Sequence, residues 1–244
     1  MVARAPAWQD PVVPPSTLAG LLPAAVVVVE ARGDTTAEPV FPGEEDLVAN
    51  AVEGRRREFV TARRCAREAL ARLGHAPAPI LRGERGAPVW PAGVAGSITH
   101  CTGYRAAAVT PAGPLVSIGI DAEPAGPLPD GVQALITVPG ETELIDRLTA
   151  AHPHGPWGKV LFGAKESVYK AWFPLTGRWL GFEDARLDID VTTGGPAETA
   201  EGTFRATLLV PGTRTDGGPP LTELHGRFVV GAGLVLTAVT VAAD

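Results

Sequence analysis

The alternation of apolar and polar positions divides the chain into a short series of helices and strands. Ala24–Glu30 is a β-branched apolar run of strand length and predicts a buried strand. From Glu44 to Leu73 the period becomes helical, with an interruption expected at Gly54. Phe59, Ala62, Ala66, Ala69, Leu70 and Leu73 share one face, and Gly74 stops the helix. Three short strands follow, Val94–Thr99, Arg105–Thr110 and Leu115–Asp121, with turns at Thr102-Gly103 and Pro111-Ala-Gly113. Ala122–Asp130 is rich in Pro and Gly and reads as a linker, the natural place to divide the chain. Beyond it, a helical stretch at Glu141–Ala150 precedes a longer helix from Trp157 to Phe173, which Pro174 is expected to end. Strands are expected at Ala185–Val191, Thr203–Val210, Leu224–Val230 and Leu234–Val241, the last two joined around Gly231-Ala-Gly233. Each half thus reads as a helix laid on a small, mostly antiparallel sheet, an α+β arrangement.

Composition narrows the function classes. At 244 residues and 45% hydrophobic content, the chain can build one large core or two small ones. A net charge of −6 argues against nucleic-acid binding through overall charge, so any anionic ligand has to be caught by a local basic cluster. Met1–Gly20 is Pro-rich and lacks the charged and apolar regions of a signal peptide. The longest apolar run, Ala24–Val29, is far short of a membrane span, so a soluble cytoplasmic protein is expected. Two cysteines, Cys65 and Cys101, require no disulfide. Of 21 basic residues only three are lysines, and Lys159, Lys165 and Lys170 fall in one helical window. In a chain that otherwise uses Arg, lysines kept together point to a need for compact ammonium charges.

Three clusters carry candidate chemistry. Asp121 and Glu123 end a strand and, two residues apart, point to one side of it. Side-by-side carboxylates repel unless a cation or proton lies between them, and oxygen ligands of this kind suit Mg²⁺. Taken alone, an Asp-x-Glu pair is better read as two solvated acids at a strand end. The segment Phe162-Gly-Ala-Lys-Glu-Ser-Val-Tyr-Lys170 places Glu166 and Lys170 four apart on a face that also bears Phe162, Tyr169 and Phe173. A charged pair set within an apolar face is better explained as lining a site than as a surface ion pair. The third cluster is the arginine-rich run from Arg55 to Arg67, where Arg56, Arg63 and Arg67 form a stripe suited to forking onto phosphate, or a solvated basic face. His100 ends a strand, where it suits proton transfer, phosphate donation or a purely structural role. No Ser-His-Asp order, Cys-x-x-Cys pair, P-loop or Gly-x-Gly-x-x-Gly loop is present.

Four segments, Arg82-Gly-Glu-Arg-Gly-Ala-Pro88, Gly96-Ser-Ile-Thr-His-Cys101, Ile118-Gly-Ile-Asp-Ala-Glu123 and Phe162–Lys170, occur in an order and spacing that resembles the 4′-phosphopantetheinyl transferase superfamily. The likeness is to its monomeric, two-halved branch, nearest the enterobactin-synthase-component subgroup of actinobacteria. Ala171-Trp-Phe-Pro-Leu-Thr176 and Trp179–Ala185 share in it, and it runs from about Arg55 to Leu187, with a weaker echo at Gly218–Val241. The resemblance implies a pseudo-twofold pair of α/β halves, 1–124 and 125–244, with the active site in the cleft between them. It implies that Asp121, Glu123 and Glu166 hold Mg²⁺, with Mn²⁺ as an alternative, and that Asp121, Glu166 and Lys170 serve catalysis. It further implies that Arg55, Arg63, Arg82, Thr99, His100, Lys165 and Lys170 contact coenzyme A. The expected reaction is attack by a serine of an acyl or peptidyl carrier protein on the β-phosphorus of coenzyme A, releasing 3′,5′-adenosine bisphosphate. Glu166, directly or through a water, is the expected base. The chain departs from the family pattern at Ala87, where many relatives have Lys, and at Phe162, where many have Trp. The same carboxylates would also serve a Mg²⁺-dependent phosphohydrolase, and a non-catalytic coenzyme A or carrier-protein binding module is a third reading. A monomer without nucleic-acid or membrane partners is expected.

Overall fold

Two antiparallel sheets, each carrying one twenty-residue helix, account for most of the regular structure in the computed structural model, which describes residues 17–35, 38–194 and 199–243. Most of the Pro-rich opening therefore lies outside the described residues. The first sheet has the order β1-β3-β2, built from β1 (Val27–Arg32), β2 (Val94–Cys101) and β3 (Tyr104–Pro111). On it lies α1 (Glu53–Arg72), which buries Phe59, Ala62, Cys65, Ala66, Ala69 and Leu70. Small residues at 62, 66 and 69 let this helix sit close to Val29, Ala107 and Val109. The interruption expected at Gly54 is not there: Gly54 lies in the first turn of α1, and the break falls earlier, between a short 3₁₀ turn over Glu45–Leu47 and Glu53.

The second sheet has the order β4-β8-β7-β6-β5, from β4 (Leu115–Pro124), β5 (Ala185–Gly194), β6 (Ala200–Leu208), β7 (Glu223–Gly231) and β8 (Leu234–Ala242). Helices α2 (Val132–Ile136), α3 (Glu141–Ala151) and α4 (Trp157–Thr176) lie between β4 and β5 in sequence. The core of this part joins Leu144, Leu161, Val168 and Trp172 to Leu187, Phe204 and Phe228. Pro174 does not end α4. The helix runs to Thr176 and stops at Gly177, which adopts the left-handed conformation (φ 64°) and donates its N–H to Phe173 O. Trp172 and Leu175 are buried, so packing holds the last turn despite the hydrogen bond that Pro174 cannot make.

β4 runs into the predicted linker, taking Ala122–Pro124 as strand, because its hydrogen-bonded neighbour is β8 at the far end of the chain, with Asp121 opposite Thr237 and Glu123 opposite Val235. β4 is the edge of the second sheet and β2 the edge of the first, and the two edges meet. Two β2 hydroxyls close the seam: Ile120 N–H donates to Ser97 Oγ at 3.1 Å, and Ala122 N–H to Thr99 Oγ1 at 3.0 Å. Exposed strand edges invite pairing, and here side chains satisfy the backbone donors instead.

α4 crosses the other side of β4 at very short range. A Cβ on Gly119 would stand 1.9 Å from Ser167 O and 2.7 Å from Ala171 N, so only glycine allows this approach. Ser117 Oγ donates to Ala171 O at 2.8 Å, and Thr237 Oγ1 to Gly163 O at 2.8 Å. The helix bearing Glu166 is thereby pressed onto the strand bearing Asp121.

Candidate active site

Asp121 is nearly fully buried at the seam. Its Oδ1 accepts a hydrogen bond from Lys170 Nζ at 2.6 Å and another from Thr99 Oγ1 at 3.2 Å. Thr99 thus orients the carboxylate rather than standing free for a ligand. The other oxygen, Oδ2, is buried and has no partner. It faces Gly163, where a Cβ would come within 3.4 Å of it. Burial raises the Asp121 pKa, Lys170 opposes the rise, and the charge of Glu123 adds to it.

Glu123, two residues on, accepts Lys159 Nζ at 2.6 Å on Oε2. Glu166 lies on α4, half-buried. Its pKa is raised first by burial, against the pull of Lys170, and further by the negative charges of Asp121 and Glu123. The three predicted carboxylates therefore share one electrostatic neighbourhood. Among the described residues, no three His, Cys, Asp or Glu side chains stand close enough to form a preassembled metal cage. Instead, two ammonium groups sit on two of the carboxylates. A buried unpartnered carboxylate oxygen next to mutually repelling acids suits an oxygen-seeking divalent cation.

Lys165 departs from expectation. Its three N–H donors are all spent, on Glu141 Oε2 at 2.7 Å, Ile136 O at 2.8 Å and Phe182 O at 2.8 Å. Glu141, wholly buried, also accepts the N–H groups of Val138 and Leu187. Lys165 is thus an internal strut tying α2, α3 and the start of β5 to α4, and no donor remains for a phosphate. Nothing in the local sequence marks Glu141 as its partner.

The basic cluster forms beside the seam. Arg63 is buried, with its guanidinium 3.7 Å from the Phe59 ring centroid and its Nε donating to Ile80 O at 3.0 Å. Its pKa is lowered to about 10, mainly by burial, then by Arg82, Arg67 and Arg55, with Glu44 opposing. Arg67, by contrast, is held by buried Glu44 at 2.6 Å. Arginines crowded enough to lower the pKa of Arg63 favour an anion among them. His100 lies against Arg55, whose Nη1 is 2.6 Å from Nε2, and 3.6 Å from Glu58. Burial and then Arg55 lower its pKa to about 4, so the ring is neutral at pH 7 and accepts a hydrogen bond from Arg55 rather than acting as a cation. Glu58 and Arg105, the latter paired with Asp34 at 2.8 Å, complete this group and carry no sequence signal of their own.

A cavity of about 310 Å³ opens between the 85–98 segment and α4, lined by Arg85, Trp90, Ile98, Tyr169, Lys170 and Phe173. Lys170 thus reaches both the cavity and Asp121. Trp179 packs on Tyr169 with centroids 4.8 Å apart, and Arg85 lies 5.7 Å from the Trp179 ring, linking the two halves beside the cavity. Two larger hollows, about 710 Å³ on the outer sheet face and about 600 Å³ beside the 125–131 segment, contain none of the clustered carboxylates or lysines.

Residues 43–110 match the 4′-phosphopantetheinyl transferase N-terminal domain, and residues 117–212 match the 4′-phosphopantetheinyl transferase superfamily. The chain is 51% identical over 229 residues to the 4′-phosphopantetheinyl transferase Svp of Streptomyces mobaraensis, covering 93% of this chain and 89% of that one. It is 49% identical to Npt of Nocardia iowensis (91% and 98% covered) and 47% identical to PptT of Mycobacterium tuberculosis (91% and 96% covered), both also 4′-phosphopantetheinyl transferases.

Proposed function

The chain belongs to the 4′-phosphopantetheinyl transferase superfamily and transfers phosphopantetheine to carrier proteins, and from that premise we propose that its donor is coenzyme A, its acceptor a carrier-protein serine and its catalytic cation Mg²⁺. The observation that carries the assignment is the buried, unpartnered Oδ2 of Asp121 beside the α4 face bearing Glu166. Asp121, Glu123 and Glu166 would hold the cation. Bound there, Mg²⁺ would supply neutralisation of the pyrophosphate charge.

The chain's own groups do the rest. Arg55, Arg63 and Arg82 surround the nucleotide phosphate, with neutral His100 contributing a ring N–H or acceptor. Residues 1–124 supply these contacts and two of the carboxylates, and 125–244 the third. The serine oxygen bonds to the β-phosphorus while the bond to 3′,5′-adenosine bisphosphate breaks. Glu166 takes the serine proton, a role favoured by a carboxylate whose pKa burial raises. Lys170 neutralises the leaving phosphate. Little covalent work falls to the protein, because alignment and charge stabilisation dominate phosphoryl transfer. A monomer suffices, since one chain supplies both walls of the cleft. Among the described residues no helix is long and apolar enough to cross a membrane, and we place the enzyme in the cytoplasm.

The test is intact mass of an apo carrier protein incubated with coenzyme A and Mg²⁺. Gain of one phosphopantetheine, lost in Glu166→Gln, supports the assignment. Release of adenosine bisphosphate without any carrier would instead identify a hydrolase.

A further inference from the structure

Each of the three lysines in the chain is seated on a carboxylate: Lys159 on Glu123, Lys165 on Glu141 and Lys170 on Asp121. Lys165 serves the core and Lys170 reaches the cavity, but Lys159 has no place in the reaction described above. It occupies a stripe of α4 with Gly163, Glu166 and Lys170, spaced four, three and four residues apart. Its ammonium is 2.6 Å from Glu123 Oε2 and 5.7 Å from the Phe162 ring centroid. Both partners are mostly shielded from water, with side-chain exposures of 15% and 20%.

Shielding makes this pair stronger than a surface ion pair. An ammonium hydrogen-bonded to Glu123 Oε2 holds that side chain to its own position and neutralises its charge. A cation drawn to Glu123 has to displace it or share the carboxylate with it. Lys170 sits in the same way on Asp121 Oδ1, leaving Oδ2 without a partner, and Lys159 sits on Glu123 Oε2, the acid nearer the end of β4.

We propose that Lys159 is a displaceable counter-ion that competes with the divalent cation for Glu123 and so sets the cation affinity of the site. The proposal rests on the carboxylate assignment above. It makes Lys159 a positioning residue acting through Glu123, with no contact to the reacting atoms.

The experiment is a Mn²⁺ titration of the full chain without coenzyme A, following free Mn²⁺ by electron paramagnetic resonance. It compares the parent protein with Lys159→Gln, Lys159→Arg, Glu123→Gln and the Lys159→Gln/Glu123→Gln double variant. Lys159→Gln is expected to tighten Mn²⁺ binding about tenfold, the scale of one partly shielded ion pair. Lys159→Arg, which keeps the charge, should bind as the parent does. In the Glu123→Gln background most of the gain should vanish, because the competition has lost its object. Equal or weaker binding by Lys159→Gln overturns the proposal while leaving the metal site standing. A gain of the same size in the Glu123→Gln background overturns it too, since the lysine would then act only as a distant charge. Absence of Mn²⁺ binding by every protein, with or without coenzyme A, overturns the metal assignment itself and the proposal with it.

Discussion

Replacing Gly119 by alanine tests the claim that the strand–helix approach builds the site. The added Cβ would lie 1.9 Å from Ser167 O, against an ordinary contact of 3.4 Å, a shortfall of about 1.5 Å. β4 cannot yield, being paired to β8 on one edge and tied to Ser97 and Thr99 on the other. α4 must therefore lift. Lifting it strains or breaks Ser117 Oγ–Ala171 O, Thr237 Oγ1–Gly163 O and Lys170 Nζ–Ile120 O. At about 1 kcal/mol for each bond, the loss is about 3 kcal/mol, or about 6–12 °C in melting temperature for a chain of this size. The same shift carries Glu166 and Lys170 away from Asp121, and a displacement of this order costs about a hundredfold in rate. Thermal unfolding and carrier-protein intact mass, measured at a temperature where the variant is folded, read both effects. Gly113→Ala is the control, since nothing lies within 4 Å of a Cβ there. If Gly119→Ala matches the parent in melting temperature and rate, the close-approach argument fails.

Other perturbations separate structural from chemical roles. Lys165→Met strips buried Glu141 of its counter-ion and should cost about 3–5 kcal/mol by urea unfolding. A raised KM for coenzyme A at full stability would restore the phosphate role to Lys165. The His100 pKa is depressed from 6.5 to about 4, so the folded protein takes up its proton later than the unfolded chain does. Its contribution is therefore complete above pH 6.5 and is lost as pH falls toward 4, and urea midpoints for His100→Gln should be flatter across that window than the parent's. Ala232 and Gly233 both have positive φ (51° and 75°) in the two-residue turn between β7 and β8, where Asn-Gly is preferred. Ala232→Asn should stabilise the protein by about 0.5–1 kcal/mol, read as a raised melting temperature.

Local order was legible where period and punctuation agree. The apolar face of α1, the strands on either side of Thr102-Gly103 and the hairpin at Gly231-Ala-Gly233 all follow from residues within a few positions of one another. The clustering of lysines also pointed to the right helix. What escaped was what depends on distant partners. β4 pairs with β8, which is more than a hundred residues away, and no local pattern distinguishes that from pairing with β3. Lys165 and Lys170 look alike in sequence, yet the first meets Glu141 in the core and the second meets Asp121 at the seam. A glycine at 119 permits close approach, but only the fold shows that the approaching group is the helix backbone. Pro174 looked like a stop because local propensity ignores the burial of Trp172 and Leu175 around it.

The central claim is that Asp121, Glu123 and Glu166 converge on one divalent ion. A crystal structure with coenzyme A and Mn²⁺, the ion located by anomalous scattering, tests it most directly. The account predicts one ion with oxygens of all three side chains at roughly 2.0–2.3 Å or joined to it through one water. An ion bound to the pyrophosphate with Glu166 turned away from it would contradict the account.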